Sequence, residues 1–93
     1  MRDFKIEVGG HCANGAQVLA LYMDEAEGVV LAGWKSEFIT WVFPTNNQRG
    51  TAHGNYFMYR EGDEDDENEA FQRARQDFIQ RANKLSEIFG QVL

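Results

Sequence analysis

The chain has 93 residues, a length that suits one domain. Its 43% hydrophobic and 13% aromatic content is enough for a hydrophobic core, which excludes a chain that is disordered throughout. The formal net charge of −6 argues against direct binding to nucleic acid or to an anionic membrane surface, because both need basic residues. Basic protein surfaces and small molecules remain as partners.

Cysteine content and the first residues bear on the cellular compartment. Cys12 is the single cysteine, so an internal disulfide is excluded, and with it a secreted disulfide scaffold. The opening MRDFKIEVGG has no apolar run of signal-peptide length, and no segment approaches the roughly 18 apolar residues of a membrane span. We therefore expect a cytoplasmic protein without a membrane partner.

Five segments have the composition or the alternation of β-strands. The first alternates apolar and charged residues, and the strongest, FITWVF, is β-branched and aromatic throughout. Its period of two predicts that Trp41 and Phe38 lie on opposite faces of the sheet. The predicted strands span about residues 3–8, 17–23, 28–34, 37–43 and 54–60.

A long helix is predicted over about residues 66–89. Apolar residues recur there at spacings of three and four, widened by Ile79, while the opposite face, which includes Arg81, is polar. The apolar stripe consists of Phe71, Ala74, Phe78, Ala82, Leu85 and Phe89. Asp66 and Glu69 have the spacing of a capping box. The predicted fold class is α+β, an antiparallel sheet of four or five strands with this helix packed on one face.

Seven of the chain's fifteen acidic residues lie between Glu61 and Glu69, at the predicted start of the helix. There they interact favourably with the helix dipole, and one interpretation is a solvated cap. The other is a binding surface whose charges imitate a phosphate backbone and attract a basic partner. The candidate binding residues of this run are Glu61, Asp63, Glu64, Asp65, Asp66 and Glu67.

Aromatic residues on both faces of the sheet indicate a second candidate surface, because a single helix covers only one face. Trp34 belongs to this aromatic group together with Trp41, Tyr56 and Tyr59, and the last three are the candidate binding residues. An uncovered face would favour a homodimer, since two-fold pairing is the commonest way to bury such a patch. The alternative is that the N-terminal strands and loops wrap the second face.

The imidazole and thiol groups of the chain are those of His11, Cys12 and His53. Structural zinc usually needs four ligands, and a Cys–His nucleophile also needs a group that orients its base. The spacings of a calcium-binding EF-hand loop and of phosphate-binding glycine loops are also missing from the sequence. We therefore expect no metal and no cofactor, and we rank a small enzyme that uses these three residues as the third hypothesis.

Three segments between residues 37 and 82, EFITWVF, AHGNYF and NEAFQRARQDFIQRA, follow a distinctive order. This order resembles that of a diffuse group of small proteins carried by phages and other bacterial mobile elements. In that group a strand of the type F-[IV]-T-W precedes a polar loop, a G-[HN]-Y-F strand and a helix. The resemblance implies a ββα-type core and a mobile-element origin, and it assigns no catalytic or binding residue.

These features favour a non-enzymatic, acidic protein-binding module of phage or mobile-element origin in the cytoplasm of a bacterial host. By analogy with anti-CRISPR proteins, such a module would inhibit host defence by occupying a basic surface that normally holds nucleic acid. The alternative is a small homodimeric structural or accessory protein that pairs through an aromatic sheet face.

Overall fold

The structure, a computed structural model, describes residues 5–92, with side chains described over 5–86. Four strands are followed by one helix: β1 (Gln17–Met23), β2 (Glu27–Trp34), β3 (Glu37–Pro44), β4 (Ala52–Met58) and α1 (Glu64–Val92). The strands form one antiparallel sheet in the order β1-β2-β3-β4, so each strand pairs with the next one in sequence. The predicted α+β fold is confirmed, with four strands in the described part of the chain.

The predicted strand over residues 3–8 is not formed where the structure describes it. Residues 5–8 are loop and turn, and residues 1–4 lie outside the described residues. The backbone N–H of Ile6 donates to Oε1 of Gln48 at 2.7 Å, which is a side-chain acceptor and not a neighbouring strand. The turn that follows, where Gly9 has a φ of 86°, is what meets the sheet. The N–H of Gly9 donates to the C=O of Val18 on β1, and the N–H of Val18 donates to the C=O of Gly10, both at 2.9 Å.

The helix packs across β2, β3 and β4. Ala70 and Ala74 are buried against Leu31 and Phe38, and their small side chains allow the helix to approach the sheet closely. Ala70 lies outside the predicted apolar stripe, yet it carries part of this contact. Within α1 no 18-residue stretch is apolar enough to span a membrane, and α1 is the helix of the described residues.

Aromatic side chains surround the centre of this interface. The ring of Phe38 lies 5.2 Å from that of Tyr59 and 5.3 Å from that of Phe71, measured between centroids. Phe78 is only half-buried and Ile79 is exposed, so the apolar stripe is narrower than its sequence spacing predicts. Phe89, the last member of that stripe, lies outside the described side chains.

A polar link fixes the rotation of α1 on the sheet. Oδ2 of Asp77 accepts hydrogen bonds from Oγ1 of Thr40 on β3 and, at 3.1 Å, from Nδ2 of Asn55 on β4. The same oxygen forms an ion pair with Nε of Arg81 at 3.1 Å. Arg81 was predicted on the solvent-facing side, and this was wrong because its guanidinium folds back to Asp77 at the sheet.

The N-terminal segment covers much of the sheet face that lies away from α1. Ile6, Cys12 and Ala16 are buried there together with side chains from three strands. The strand residues of this cluster are Val18, Val30, Ala32, Ile39, Trp41 and Phe43. Trp41 therefore lies opposite Phe38, as predicted, but it is only 3% exposed, so it does not form an open aromatic surface. The N-terminal segment therefore covers β1, β2 and β3 on this face, while the side chains of β4 on the same face stay exposed.

Candidate functional site

Strand β4 contains a β-bulge opposite Trp41. Thr40 pairs with Asn55 and Val42 pairs with Ala52, so His53 and Gly54 both lie opposite one residue of β3. His53 has a φ of 55°, in the left-handed region that is unfavourable for most side chains, although His enters it more readily than β-branched residues do. The first position of such a bulge is commonly Gly. Local strain of this kind clusters at binding sites and active sites.

The bulge forms one wall of a cleft of about 360 Å³ on the sheet face away from α1. The cleft is lined by Asn14, Trp34, Glu37, Ile39, Trp41, Thr51, Ala52, His53, Gly54 and Tyr56. The side chains of Tyr56 and Trp34 are 64% and 44% exposed, so solvent reaches both rings. This volume is within the range of sites for small molecules or single side chains.

The N-terminal loop positions Trp34 at the edge of the cleft. Gly15 has a φ of 93°, and a Cβ at this position would lie 2.7 Å from Cζ3 of the Trp34 ring. Only glycine satisfies both the backbone conformation and this close approach. The loop therefore supports the indole from one side and leaves the rest of the ring open.

Charge and hydrogen bonding in the cleft are unbalanced. Glu37 is the carboxylate among the lining residues, and it forms no ion pair with a described residue. The lining contains no lysine or arginine. Nε1 of Trp41 is buried without a hydrogen-bond partner among the described residues, a deficit that typically costs about 1–3 kcal/mol. An unsatisfied donor beside a strained His identifies a region that is not optimised for stability alone.

The acidic run begins α1, and part of it has a structural role. Oδ1 of Asp63 accepts a hydrogen bond from the backbone N–H of Asp66 at 3.1 Å, as an N-cap residue does. Oδ2 of Asp66 in turn accepts from the backbone N–H of Arg60 at 2.7 Å. The predicted capping pair of Asp66 and Glu69 is therefore wrong. The cap lies three residues earlier because the helix itself begins at Glu64.

Tyr59 belongs to the junction between helix and sheet and not to the cleft. The pKa of Tyr59 is raised, mainly by burial. Its hydrogen bond to Glu67 and the negative charges of Glu67 and Glu61 raise it further. Its ring packs with Phe38 on the helix side, whereas Tyr56 lies on the other face of the sheet. The two tyrosines predicted as one binding surface are thus separated by the sheet.

Three members of the acidic run have no structural bond. Glu61, Glu64 and Asp65 are exposed, and their side chains form no hydrogen bond or ion pair with a described residue. In contrast, Glu69 pairs with Arg73 at 2.6 Å on the helix surface. The run therefore divides into residues that build the helix start and residues that are free to meet a partner.

The structure does not bring the predicted His and Cys residues together at one site. Cys12 is buried in the N-terminal cluster, and burial raises its pKa to about 11, so the thiol is protonated at neutral pH. His11 is exposed in the preceding loop, while His53 lines the cleft. Within the described residues, no group of three or more His, Cys, Asp or Glu side chains is arranged to hold a metal ion.

Sequence reasoning grouped Trp34 with Trp41 and Tyr56, but it missed Glu37 and His53 as their neighbours in one cleft. Trp34 and Glu37 flank the β2–β3 turn and pair across it, which a two-residue turn would have indicated. The bulge at His53 has no such signal, because its left-handed position is not a glycine. Comparison of the chain with protein-family models, curated proteins and solved structures gives no match.

Proposed function

We propose that this protein is a non-enzymatic, acidic protein-binding module that occupies a basic surface of a host protein. In this proposal it originates from a phage or another mobile element and acts in the bacterial cytoplasm, as an inhibitor of host defence. The observation that carries the proposal is the exposure of the Glu61, Glu64 and Asp65 carboxylates, which form no hydrogen bond or ion pair with a described residue. The side-chain hydrogen bonds at the start of the helix are accepted by Asp63 and Asp66, so the other three carboxylates are not needed for capping.

The free carboxylates are held on a rigid support. The first turn of α1 and the turn before it fix their spacing, so little side-chain and backbone freedom is lost when a partner binds. Clustered charges of one sign steer a partner of the opposite sign over about 10 Å at 0.1 M salt. A surface that normally holds nucleic-acid phosphates has the complementary charge.

Two matched variants test this proposal. Glu61→Gln with Glu64→Gln removes two charges from the free part of the acidic run. Glu25→Gln with Glu27→Gln removes two charges at the β1–β2 turn, which lies at the opposite end of the sheet. Each immobilised protein is incubated with bacterial lysate at about 0.05 M and about 0.2 M salt, and the retained proteins are quantified by mass spectrometry.

We expect a basic host protein to be retained by the wild type and by the Glu25/Glu27 variant, and to be lost from the Glu61/Glu64 variant. Retention should fall at the higher salt concentration, and a short DNA duplex should displace the partner. Equal retention by the two variants, with the same salt dependence, would contradict a role for the acidic run.

A second candidate function is a homodimer that pairs through β4. Met58 is 73% exposed and Tyr56 is 64% exposed, and β4 is an edge strand of the sheet. Exposed apolar edge strands tend to pair with another chain. Sedimentation equilibrium over a hundredfold concentration range, with Met58→Lys as the disrupting variant, tests this candidate. A monomer at the highest concentration would eliminate it.

A further inference from the structure

We infer that the cleft lined by Trp34, Glu37 and Tyr56 binds the guanidinium group of an arginine side chain presented by a protein partner. The identity of the partner as a basic protein rests on the proposed function. The choice of a guanidinium group rests on the chemistry of the cleft itself, which lies on the sheet face and not at the acidic end of the helix.

The charge of the cleft favours a cation. Glu37 supplies a carboxylate that forms no ion pair with a described residue, and neither lysine nor arginine contributes to the lining. The formal net charge of −6 adds a long-range attraction for positive groups. A neutral or anionic ligand would leave the Glu37 carboxylate uncompensated or repelled.

The rings of the cleft favour the same class of ligand. Trp34 and Tyr56 offer exposed aromatic faces, and the electron-rich face of such a ring attracts a cation within about 6 Å. Trp41 also lines the cleft and is 3% exposed. Two open rings and a carboxylate in one cleft provide both stacking and a charged acceptor.

The planar guanidinium uses this combination better than an ammonium group does. It stacks flat on an aromatic ring, is more weakly hydrated, and presents its donors as a fork that matches a carboxylate. A lysine ammonium is a compact, strongly hydrated point charge that gains less from ring faces. The cleft volume of about 360 Å³ accommodates the end of one side chain.

The bulge is what places Tyr56 in this cleft. Ala52 pairs with Val42 and Asn55 pairs with Thr40, so two β4 residues lie between these pairs where β3 has one. The extra residue resets the alternation of side chains, so that Tyr56 joins Trp41 on the face away from α1. The strained φ of His53 is therefore part of the bulge that places the Tyr56 side chain on the cleft face of the sheet.

Titration of small probes into the isotope-labelled full chain tests the inference without a partner protein. The probes are N-acetyl-arginine methylamide, its neutral isostere N-acetyl-citrulline methylamide, and choline. The readout is the indole N–H signal of Trp34 in ¹H–¹⁵N spectra. We expect the arginine probe to shift this signal saturably and the citrulline probe to bind at least about tenfold more weakly.

Three variants locate the effect. Glu37→Gln should weaken the arginine probe about tenfold, because it removes the charged acceptor. Tyr56→Leu, at a largely exposed position, should weaken it about threefold and keeps the test valid if Glu37→Gln disturbs folding. The variant that combines Glu61→Gln with Glu64→Gln should respond as the wild type does, because neither residue lines the cleft.

The absence of a saturable shift, or an equal affinity for the citrulline probe, would overturn the inference. Tighter binding of choline than of the arginine probe would also overturn it, and would assign the cleft to a free quaternary ammonium compound. An intact arginine response together with salt-independent lysate binding would instead defeat the proposed function and leave the cleft assignment standing.

Discussion

The ring of Phe43 lies directly against Gly28, its partner across the β2–β3 ladder. A Cβ at position 28 would come within 2.8 Å of both Cε1 and Cε2 of the ring. Phe43 is fully buried, so its ring has no free space into which to move. The glycine therefore provides the space for the largest side chain that is fully buried in this core.

Gly28→Ala should lower the free energy of unfolding by about 1–3 kcal/mol, because the added methyl group overpacks the core. Gly33→Ala is the matched control on the same strand, since its Cβ would meet Cδ1 of the exposed Leu19 at 3.3 Å. This control should change stability by less than about 0.5 kcal/mol. Urea denaturation of both variants checks the prediction. An equally small loss of unfolding free energy in both would show that the Phe43 ring adapts to the added methyl group.

Asp77→Ala should destabilise the fold by about 2–4 kcal/mol. The substitution leaves the fully buried hydroxyl of Thr40 without its acceptor and removes the bonds to Asn55 and Arg81. Glu69→Ala on the same helix is the control, because its ion pair with Arg73 is exposed and worth about 0.2–1 kcal/mol. Thermal and urea melts compare the two, and a similar small loss for both would contradict the polar link.

Asp63→Ala should cost about 1 kcal/mol through loss of the N-cap hydrogen bond to Asp66. Asp65→Ala removes the same charge from the same turn but no hydrogen bond, so it should cost only a few tenths of a kcal/mol. The difference in unfolding free energy between the two variants separates the contribution of the N-cap hydrogen bond from that of the charge at the helix dipole. Equal costs would mean that the acids act only through their charge.

The stability difference between the wild type and Cys12→Ala should depend on pH above about 9. Burial raises the pKa of Cys12 from 9.0 to about 11, so folding favours the protonated thiol. This contribution is fully present below pH 9.0, the unfolded value, and is lost as pH rises through about 11. Urea melts of both proteins between these pH values check it, and a constant difference would contradict the shift. The raised pKa of Tyr59 affects both proteins equally.

Local patterns predicted the central elements well. FITWVF gave the correct faces because a strand with bulky residues on both sides can be buried only between two layers, here α1 and the N-terminal segment. The helix was found from its apolar spacing, but Asp77 was not recognised, because an acidic residue on the buried side is visible only once Thr40 and Asn55 are placed opposite it.

The candidate cleft could not be predicted from the sequence, because the covering loop and the bulge that form it leave no periodic pattern. Trp41 was a candidate for an open surface, with wrapping by the N-terminal strands and loops as the alternative. Ile6, Cys12 and Ala16 lie over its face of the sheet without forming a strand. Such a covering loop has no period, so apolar alternation was misinterpreted as a strand over residues 5–8, the part of that prediction that the structure describes. The bulge was missed for a related reason, since the left-handed residue is His53 and the glycine follows it.

The order of the strands has a consequence for the rates of folding and unfolding. Because every strand pairs with its neighbour in sequence, the sheet forms from local contacts, which close quickly. The bond between Asp77 and Thr40 joins residues 37 positions apart and waits for both the sheet and the helix. We therefore expect Asp77→Ala to accelerate unfolding while leaving the folding rate nearly unchanged. Stopped-flow measurements over a range of urea concentrations check this, and a slower folding arm would place helix docking before the transition state.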